Sequence, residues 1–264
     1  MAVLTVGLAQ MDIVLGEPEQ NTMALQALAA DARGQQVDLL VLPELWSTGY
    51  MLERADSLAC ELGGGASAAM AEAARTYGLA IVGSVLARQA RGVANTAVFY
   101  EPDGSLRCSY SKLHLFGLMQ EDQFLVPGDA APVLDTRWGK AGLAICYDLR
   151  FPELFRSYAV RGAGLVVMPS EWPYPRLGHW RTLVQARAIE NQCFMVACNR
   201  VGHDRASHFC GHSMVVDPWG EVLVEAGDEP GLFVAQLDLD VVAAVRSRMS
   251  VLSDRRPDVY GAGG

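Results

Sequence analysis

The sequence lacks the short motifs that assign many common function classes. Its 264 residues contain no CxxC pair, no Walker A motif and no G-x-G-x-x-G fingerprint beside a strand and a helix. These absences disfavour a structural zinc finger and a bound nucleotide cofactor. Serine is present, but never in the G-x-S-x-G context of an exposed nucleophile, so a serine hydrolase of that type is not indicated.

The sequence also lacks the basic cluster of a nucleic-acid binder and the apolar run of a membrane protein. Lys and Arg number 21 against 30 Asp and Glu, which gives a net charge of −9 and disfavours a nucleic-acid partner. No apolar stretch approaches the ~20 residues that span a bilayer. The first basic residue is Arg33 and Asp12 interrupts the apolar start, so we expect no signal peptide and a cytoplasmic protein.

Six cysteines are scattered through apolar segments, without the close spacing of a disulfide scaffold. A chain of this length can bury a sizeable core without covalent cross-links. We therefore expect buried free thiols in a reducing compartment. The cysteines are Cys60, Cys108, Cys146, Cys193, Cys198 and Cys210.

Apolar runs of strand length alternate with segments of helical pattern, which predicts an α/β fold. Turn sequences at 101–105 and 217–220 each separate two short apolar runs, which predicts hairpins and hence mixed sheets. No linker or short-period repeat divides the chain, so we expect one domain over residues 1–264. The predicted strands are 3–9, 38–42, 79–86, 94–100, 106–110, 140–145, 164–168, 193–199, 213–216, 222–225 and 233–237, and the predicted helices are 18–34, 66–77, 152–161, 176–191 and 240–248.

Reactive side chains follow closely after three of the predicted buried strands: Glu44, Cys146 and Glu171. Open α/β sheets bind their ligands at the carboxyl ends of strands. A thiol on a strand-to-helix turn projects from the sheet beside unbonded backbone N–H groups, which can bind an oxyanion. The structural alternatives are a buried inert thiol and a solvated loop glutamate.

Lys112 has unusually apolar neighbours for a lysine, within the segment 111–117 that follows a predicted strand. Lysine is seldom buried unless it is paired. Beside a thiolate, its ammonium group would favour the charged sulfur and hold a developing oxyanion. The alternative is a surface lysine whose stem lies along apolar side chains.

Two other hypotheses use the stretch 203–212, which holds three histidines and a cysteine. Such side chains can ligate a metal, although their spacing is not that of a helical H-x-x-x-H site. One of these histidines could instead activate Cys146, as in papain-type enzymes, which requires a contact that sequence cannot test. We expect a polar loop here and no metal site.

Three segments resemble the signature blocks of the nitrilase, or carbon–nitrogen hydrolase, superfamily. They are LPE at 42–44, SKLHLF at 111–116 and ICYDLRFPE at 145–153, in the family's order along the chain. The resemblance implies a four-layer αββα sandwich with mixed sheets and a catalytic triad of Glu44, Lys112 and Cys146. It also implies a second catalytic glutamate, for which Glu121 is the match, and it implies no cofactor and no metal.

Further stretches are similar to the omega-amidase-like branch of this superfamily. They are ELWSTGY at 44–50, LFGLM at 115–119, SEWP at 170–173 and RAIENQ at 187–192. The similarity implies hydrolysis of the terminal amide of a 2-oxo acid amide such as 2-oxoglutaramate, through a cysteine thioester. The rival functions are an N-carbamoyl amine amidohydrolase, an aliphatic amidase or a nitrilase, and, in another class, a non-catalytic interaction domain.

Several residues near these motifs are predicted to contact the substrate. Arg150 and Arg176 are candidates to bind a substrate carboxylate, because a guanidinium group binds a carboxylate through two parallel hydrogen bonds. Either one could equally form a structural ion pair. The other predicted contacts are the aromatic side chains of Tyr50 and Trp172, the backbone N–H of Tyr147 as an oxyanion donor, and Glu171.

The resemblance also implies a homodimer or a higher homo-oligomer. The family pairs its sandwiches through the helices that follow the cysteine and Glu171. In this sequence those helices are predicted at 152–161 and 176–191, and their mixed apolar and charged faces permit an isologous interface.

Overall fold

Buried apolar strands form two six-stranded sheets in the computed structural model, which describes residues 3–261. Two short strands, Val201–His203 and His208–Cys210, form a separate ribbon. The strands are β1 Val3–Gln10, β2 Leu39–Val41, β3 Ala80–Gln89, β4 Gly92–Tyr100, β5 Leu106–Ser111, β6 Val133–Thr136, β7 Gly139–Leu143, β8 Leu165–Ser170, β9 Phe194–Asn199, β10 Val201–His203, β11 His208–Cys210, β12 Met214–Val216, β13 Val222–Glu225 and β14 Gly231–Asp238.

Helices cover the outer face of each sheet. Proline occupies the first residue of α1 and α5, where its missing N–H has no partner to lose, and Gly78 ends α3 in a left-handed conformation. The helices are α1 Pro18–Gly34, α2 Ala55–Leu58, α3 Gly65–Tyr77, α4 Glu121–Phe124, α5 Pro152–Val160, α6 Leu177–Asn191, α7 Asp240–Arg248 and α8 Pro257–Tyr260. Within residues 3–261, none of them is long and apolar enough to cross a bilayer.

The two large sheets share one plan. The strand order is β14-β1-β2-β3-β4-β5 in the first sheet and β13-β12-β9-β8-β7-β6 in the second. In each sheet three parallel strands lie at the centre, and antiparallel strands flank them. Both predicted hairpins are confirmed, and the sheets are mixed as predicted.

Alternation along β2 shows how the layers pack. Leu39 and Val41 belong to the core between the two sheets, whereas Leu40 and Leu42 belong to a second core between the first sheet and its helices. Leu25 of α1 lies in this second core and is fully buried. A strand covered on both faces reads as a continuous apolar run, which explains the pattern in the sequence. The predicted αββα arrangement is confirmed.

The strand ends carry the candidate residues to one edge of the sandwich. Glu44 follows β2 in the first sheet, and its N–H donates to the carbonyl of Ser170, at the end of β8 in the second sheet, at 3.4 Å. Lys112 directly follows β5, and Cys146 lies three residues after the end of β7. Residues far apart in the sequence therefore meet where the two sheets come together.

Candidate active site

Lys112 lies at the centre of the candidate site, between two carboxylates. Its Nζ donates to Glu44 Oε1 at 2.7 Å and to Glu121 Oε1 at 2.8 Å. None of these three side chains has any exposed surface. Burying an ammonium group is costly unless it is paired and hydrogen-bonded. The structure therefore brings together three of the four predicted catalytic residues as one buried ionic cluster.

Two polar side chains fix the geometry of this cluster. The hydroxyl of Tyr50 donates to the Oε1 atoms of Glu44 and Glu121, each at 3.0 Å. Asn95 of β4 donates from Nδ2 to Glu44 Oε1 at 2.7 Å. Since the second oxygen of Glu121 accepts the N–H of Phe116 at 2.6 Å, its carboxylate is held from both sides. The charged groups have little freedom to move apart.

The charges in the cluster do not balance, and this affects the proton affinity of each group. Burial alone lowers the pKa of Lys112, but the carboxylates of Glu121 and Glu44 outweigh it, so this pKa is raised and the ammonium keeps its proton. Burial raises the pKa of Glu121, with the charge of Glu44 adding and Lys112 opposing. Two acids around one cation leave a net negative charge, which favours uptake of a proton.

Cys146 begins a short helical turn, Cys146–Arg150, in a strained backbone conformation. Its φ is +42°, in the left-handed region that side-chain-bearing residues seldom adopt. Such strain persists only where the surrounding structure enforces it, often at functional sites. As the first residues of this turn, Cys146 and Tyr147 have N–H groups that no preceding turn can bind. The predicted strand-to-helix placement of the thiol is confirmed.

Asp148 holds this turn in place. Its fully buried carboxylate accepts the N–H of Ile145 at 2.9 Å and the hydroxyl of Tyr110 at 2.7 Å. It also bonds His114, through the backbone N–H at 3.2 Å and the ring Nδ1 at 2.7 Å. Since Tyr110 and His114 flank Lys112 in the sequence, Asp148 ties the cysteine turn to the lysine segment.

The Cys146 thiol faces the buried ionic cluster. Burial raises its pKa well above the ordinary range, and the charge of Glu44 adds to this increase. Lys112 and a hydrogen bond from the backbone N–H of Glu171 oppose the increase. The same N–H donates to Glu44 Oε2 at 3.0 Å. The resting thiol is therefore protonated at neutral pH, with the Glu44 carboxylate beside it as a proton acceptor.

A narrow cleft lies over Cys146. Its wall is largely aromatic, and the Phe116 and Tyr147 rings pack with their centroids 4.6 Å apart. The cleft is lined by Phe116, Cys146, Tyr147, Arg150, Glu171, Trp172, Pro173 and Arg176. Five of the six predicted substrate contacts therefore lie at this cleft.

The cleft carries two cationic side chains. The Arg150 guanidinium lies 4.6 Å from the ring centroid of Trp172 and 3.4 Å from His179 Nδ1. The Arg176 guanidinium lies 5.6 Å from the ring centroid of Phe116. Within residues 3–261 neither forms an ion pair with a carboxylate, unlike the buried Arg200. Both side chains are half-buried, so an anionic ligand can reach them.

Tyr50 and Glu171, which were predicted to contact the substrate, have different surroundings in the structure. Tyr50 does not line the cleft over Cys146; it lies behind the ionic cluster and lines a neighbouring cleft with Leu118 and Arg205. Glu171 lines the first cleft, but its carboxylate is bound by Arg200 Nη1 at 2.7 Å, with both side chains fully buried. The direction of each side chain, which sequence does not specify, accounts for the difference.

Comparison with known proteins places this geometry in a family. The carbon-nitrogen hydrolase family matches residues 5–247. A 2-oxoglutaramate amidase from Bacillus subtilis (strain 168) is 41% identical over 257 residues, covering 97% of this chain and 99% of the relative. The chain belongs to the carbon–nitrogen hydrolase family. It is therefore a hydrolase of carbon–nitrogen bonds. Omega-amidase NIT2 from Bos taurus is 33% identical over 270 residues, covering 98% of each chain.

A solved structure supports both the fold and the importance of a cysteine in this family. An amidase from Nesterenkonia sp. AN1 matches with a TM-score of 0.88 at 31% identity, over 97% of this chain and 98% of that one. That structure, of a variant, shows acrylamide added at the active-site cysteine. The resemblance to the nitrilase superfamily and its omega-amidase-like branch is confirmed by these matches.

Sequence reasoning missed two buried polar residues of this carbon–nitrogen hydrolase, Asn95 and Arg200. Asn95 interrupts the apolar strand β4, and a fully buried amide must find hydrogen-bond partners. That interruption was a usable signal. Arg200 directly follows β9, so it occupies a strand end like the residues that were predicted, and its complete burial could not be read from the sequence.

The histidines of the stretch 203–212 have partners away from Cys146. His203 and His208 stack with ring centroids 3.9 Å apart, and His212 Nδ1 bonds Glu225 at 2.9 Å. Among the described residues, no group of His, Cys, Asp and Glu is arranged to hold a metal ion. The papain-type alternative therefore has no geometric support, because the carboxylate beside the thiol is that of Glu44.

We predict that Asp148→Asn loosens the cysteine turn. The amide NH₂ of asparagine would face donors that now bind a carboxylate oxygen, so the free energy of unfolding should fall by about 1–3 kcal/mol. Urea denaturation measures this. Asp217→Asn is the control, because Asp217 accepts two N–H groups in an exposed turn, where asparagine serves equally well. Equal stability of Asp148→Asn and the unmodified protein would show that these contacts do not hold the turn.

Proposed function

We propose that this carbon–nitrogen hydrolase is an omega-amidase, which cleaves the terminal amide of a small 2-oxo acid amide such as 2-oxoglutaramate. The observation that carries the proposal is the meeting of Cys146, Glu44 and Lys112 beside a cleft with two guanidinium groups that no carboxylate neutralises within residues 3–261. The relatives named 2-oxoglutaramate amidase and omega-amidase support the choice of substrate class.

In the first step, Glu44 accepts the thiol proton while the Cys146 sulfur attacks the amide carbon. A carbon–sulfur bond forms, and the carbonyl electrons move onto oxygen. The high proton affinity of the buried thiol keeps it neutral until Glu44 takes the proton. The attack therefore depends on the contact between the thiol and the carboxylate.

Lys112 and the backbone N–H of Tyr147 stabilise the resulting oxyanion. Lys112 has three N–H donors, of which two bind Glu44 and Glu121. The third makes only a long contact of 3.4 Å to the Tyr50 hydroxyl, which it can exchange for the substrate oxygen. The Tyr147 N–H is at the start of the cysteine turn, where no preceding residue occupies it. Removing one donor of this kind typically raises the barrier by about 3 kcal/mol.

The tetrahedral intermediate then collapses and the carbon–nitrogen bond breaks. Glu44 returns its proton to the nitrogen, which leaves as ammonia, and a thioester remains on Cys146. Glu44, again a carboxylate, takes a proton from water. The hydroxide adds to the thioester carbon, the carbon–sulfur bond breaks, and Glu44 returns its proton to the departing sulfur, which releases a carboxylic acid and restores the thiol. These steps use groups of the chain itself and call for no cofactor.

Glu121 is a positioning and charge-setting group in this mechanism. It binds Lys112 on one side and the Phe116 N–H on the other, so it connects the ammonium to the wall of the cleft. Its negative charge keeps the lysine protonated. Tyr50 and Asn95 complete the cage around the two carboxylates, which keeps Glu44 Oε2 free of the lysine and directed to Glu171.

Arg150 and Arg176 bind the carboxylate at the far end of the substrate. A guanidinium group that lacks an acidic partner attracts an anion, and the low polarity of the aromatic wall strengthens that attraction. Trp172 supports both, since its ring lies under Arg150 and its Nε1 donates to the Arg176 carbonyl at 3.0 Å. The cleft thus favours an acidic amide over a neutral one.

The proposed setting is a homodimer in the cytoplasm. The six cysteines are free thiols in the structure, which suits a reducing compartment. Val160 of α5 is 42% exposed and Ile189 of α6 is 51% exposed, so both predicted interface helices present apolar surface. A twofold pairing of this face would bury these side chains.

An ammonia-release assay across a substrate panel tests the proposed function. We predict that kcat/KM for 2-oxoglutaramate exceeds that for a neutral aliphatic amide, an N-carbamoyl amine and a nitrile by at least about 10-fold, because a charge-assisted contact typically contributes ~1.5–3 kcal/mol. A higher value for one of the other three substrates would replace the proposal with that activity. No ammonia from any of them would favour the interaction domain.

Removing either cleft arginine should weaken binding of the acidic amide. We predict that Arg150→Ala and Arg176→Ala each raise KM for 2-oxoglutaramate by about 10- to 100-fold and change KM for a neutral amide by no more than ~2-fold. Arg181→Ala is the control, since Arg181 pairs with Glu225 outside the cleft. Equal effects on the acidic and neutral amides would remove the arginines as carboxylate anchors.

A further inference from the structure

One peptide group, between Ser170 and Glu171, lies beside both reacting residues of the proposed mechanism. Its N–H donates to Glu44 Oε2 at 3.0 Å, and the same N–H lowers the pKa of the Cys146 thiol. Its carbonyl oxygen accepts the backbone N–H of Glu44 at 3.4 Å and that of Arg200 at 3.1 Å. This peptide therefore lies at the junction of the base and the nucleophile.

The side chain of Glu171 is held by a buried ion pair directly behind this peptide. Glu171 Oε2 accepts from Arg200 Nη1 at 2.7 Å, and both side chains are fully buried. Arg200 Nη2 donates to the carbonyl of Ile13 at 2.7 Å and to that of His203 at 3.3 Å. Its guanidinium lies 4.2 Å from the ring centroid of Phe209. These contacts to three separate segments of the chain hold the arginine side chain in one position.

A stabilising role is a weak explanation for this pair. Desolvation of two charges largely offsets their attraction, so an apolar pair of similar volume is often as stable. The pair nevertheless fixes the backbone at Glu171 against three other segments. The main effect of the pair is therefore to fix the position of the Glu171 backbone, and its contribution to the stability of the protein is small.

We propose that the Glu171–Arg200 ion pair is a positioning device, which orients the Ser170–Glu171 peptide so that one N–H serves Glu44 and Cys146 in turn. The inference rests on the proposed function. When the thiol proton passes to Glu44, the carboxyl becomes a poorer acceptor and the sulfur becomes an anion. The N–H then follows the negative charge from oxygen to sulfur and stabilises the thiolate.

A different role for Glu171, through its charge alone, makes opposite predictions. The charged groups around its carboxyl are Arg200, Glu44 and Asp204, and those around the thiol are Glu44 and Lys112. Burial raises the pKa of Glu171, against the effect of Arg200. Glutamine removes the charge of Glu171 but keeps its size and an oxygen that can accept from Arg200, so it separates the two roles.

The test uses three variants of the full chain: Glu171→Gln, Glu171→Leu and Arg200→Leu. For each, kcat and KM for 2-oxoglutaramate are measured, together with the rate of Cys146 alkylation by iodoacetamide at pH 8, followed by peptide mass spectrometry. Both leucine variants should lose about 100-fold in kcat with KM changed no more than ~3-fold, because a displacement of ~1 Å costs this much. Their alkylation should slow by about tenfold, since the thiolate loses a donor.

The sign of the alkylation change separates the two roles. Positioning predicts slower alkylation in Glu171→Leu and a rate within ~2-fold of the unmodified protein in Glu171→Gln. A role through charge predicts faster alkylation of Cys146 in both Glu171→Leu and Glu171→Gln, because each removes a negative group near the thiolate. Faster alkylation in Glu171→Gln would overturn the proposal, even if neither leucine variant folds.

Leu25→Ala is the control for general destabilisation, because it removes buried volume from the separate core beneath α1. Leu25→Ala should leave kcat and the rate of Cys146 alkylation unchanged. If either falls tenfold in this control, the losses in the leucine variants come from instability and not from positioning. Alkylation needs no substrate. If the alkylation rates change as predicted but 2-oxoglutaramate releases no ammonia, only the proposed function is rejected. If ammonia is released but Glu171→Gln is alkylated faster, only the positioning role is rejected.

Discussion

The ammonium group of Lys112, buried between the carboxylates of Glu44 and Glu121, is the interaction on which the rest of the site depends. A buried cation requires acidic partners, and two acids around it leave a net negative charge that accepts a proton. That charge also raises the proton affinity of the Cys146 thiol beside it. In the proposed mechanism, the same cluster keeps the Cys146 thiol neutral at rest and supplies the base that activates it.

The fold meets this requirement by bringing the ends of both sheets to one edge of the sandwich. Glu44 comes from the first sheet, and Cys146 and Glu171 come from the second, so the hydrogen bond from the Glu171 N–H to the Glu44 carboxylate crosses the interface between the sheets. Asp148 fixes the strained cysteine turn against the lysine segment. The two sheets must pack in one register for the site to form, so the proposed chemistry depends on the common core of the sandwich.

Sequence predicted the layered fold and the strand-end residues because both follow from periodicity and motif order. It missed β6, in which only Leu134 is buried and the apolar pattern is too short to mark a strand. It did not foresee that the Tyr50 hydroxyl would bind the carboxylates, or that Arg200 would bind Glu171, because both contacts depend on side-chain direction. The buried Asn95 is a different case, since its place in an apolar strand already demanded a partner.

Ammonia release by Cys146→Ala tests most directly whether this thiol, with its lysine and its glutamate, carries the chemistry. The account predicts that kcat for 2-oxoglutaramate falls by a factor on the order of 10⁵, as expected when a nucleophile is removed. Cys60→Ala, which changes a half-buried thiol outside the cleft, should keep the activity of the unmodified protein. A Cys146→Ala protein that releases ammonia within tenfold of the unmodified rate would contradict the account.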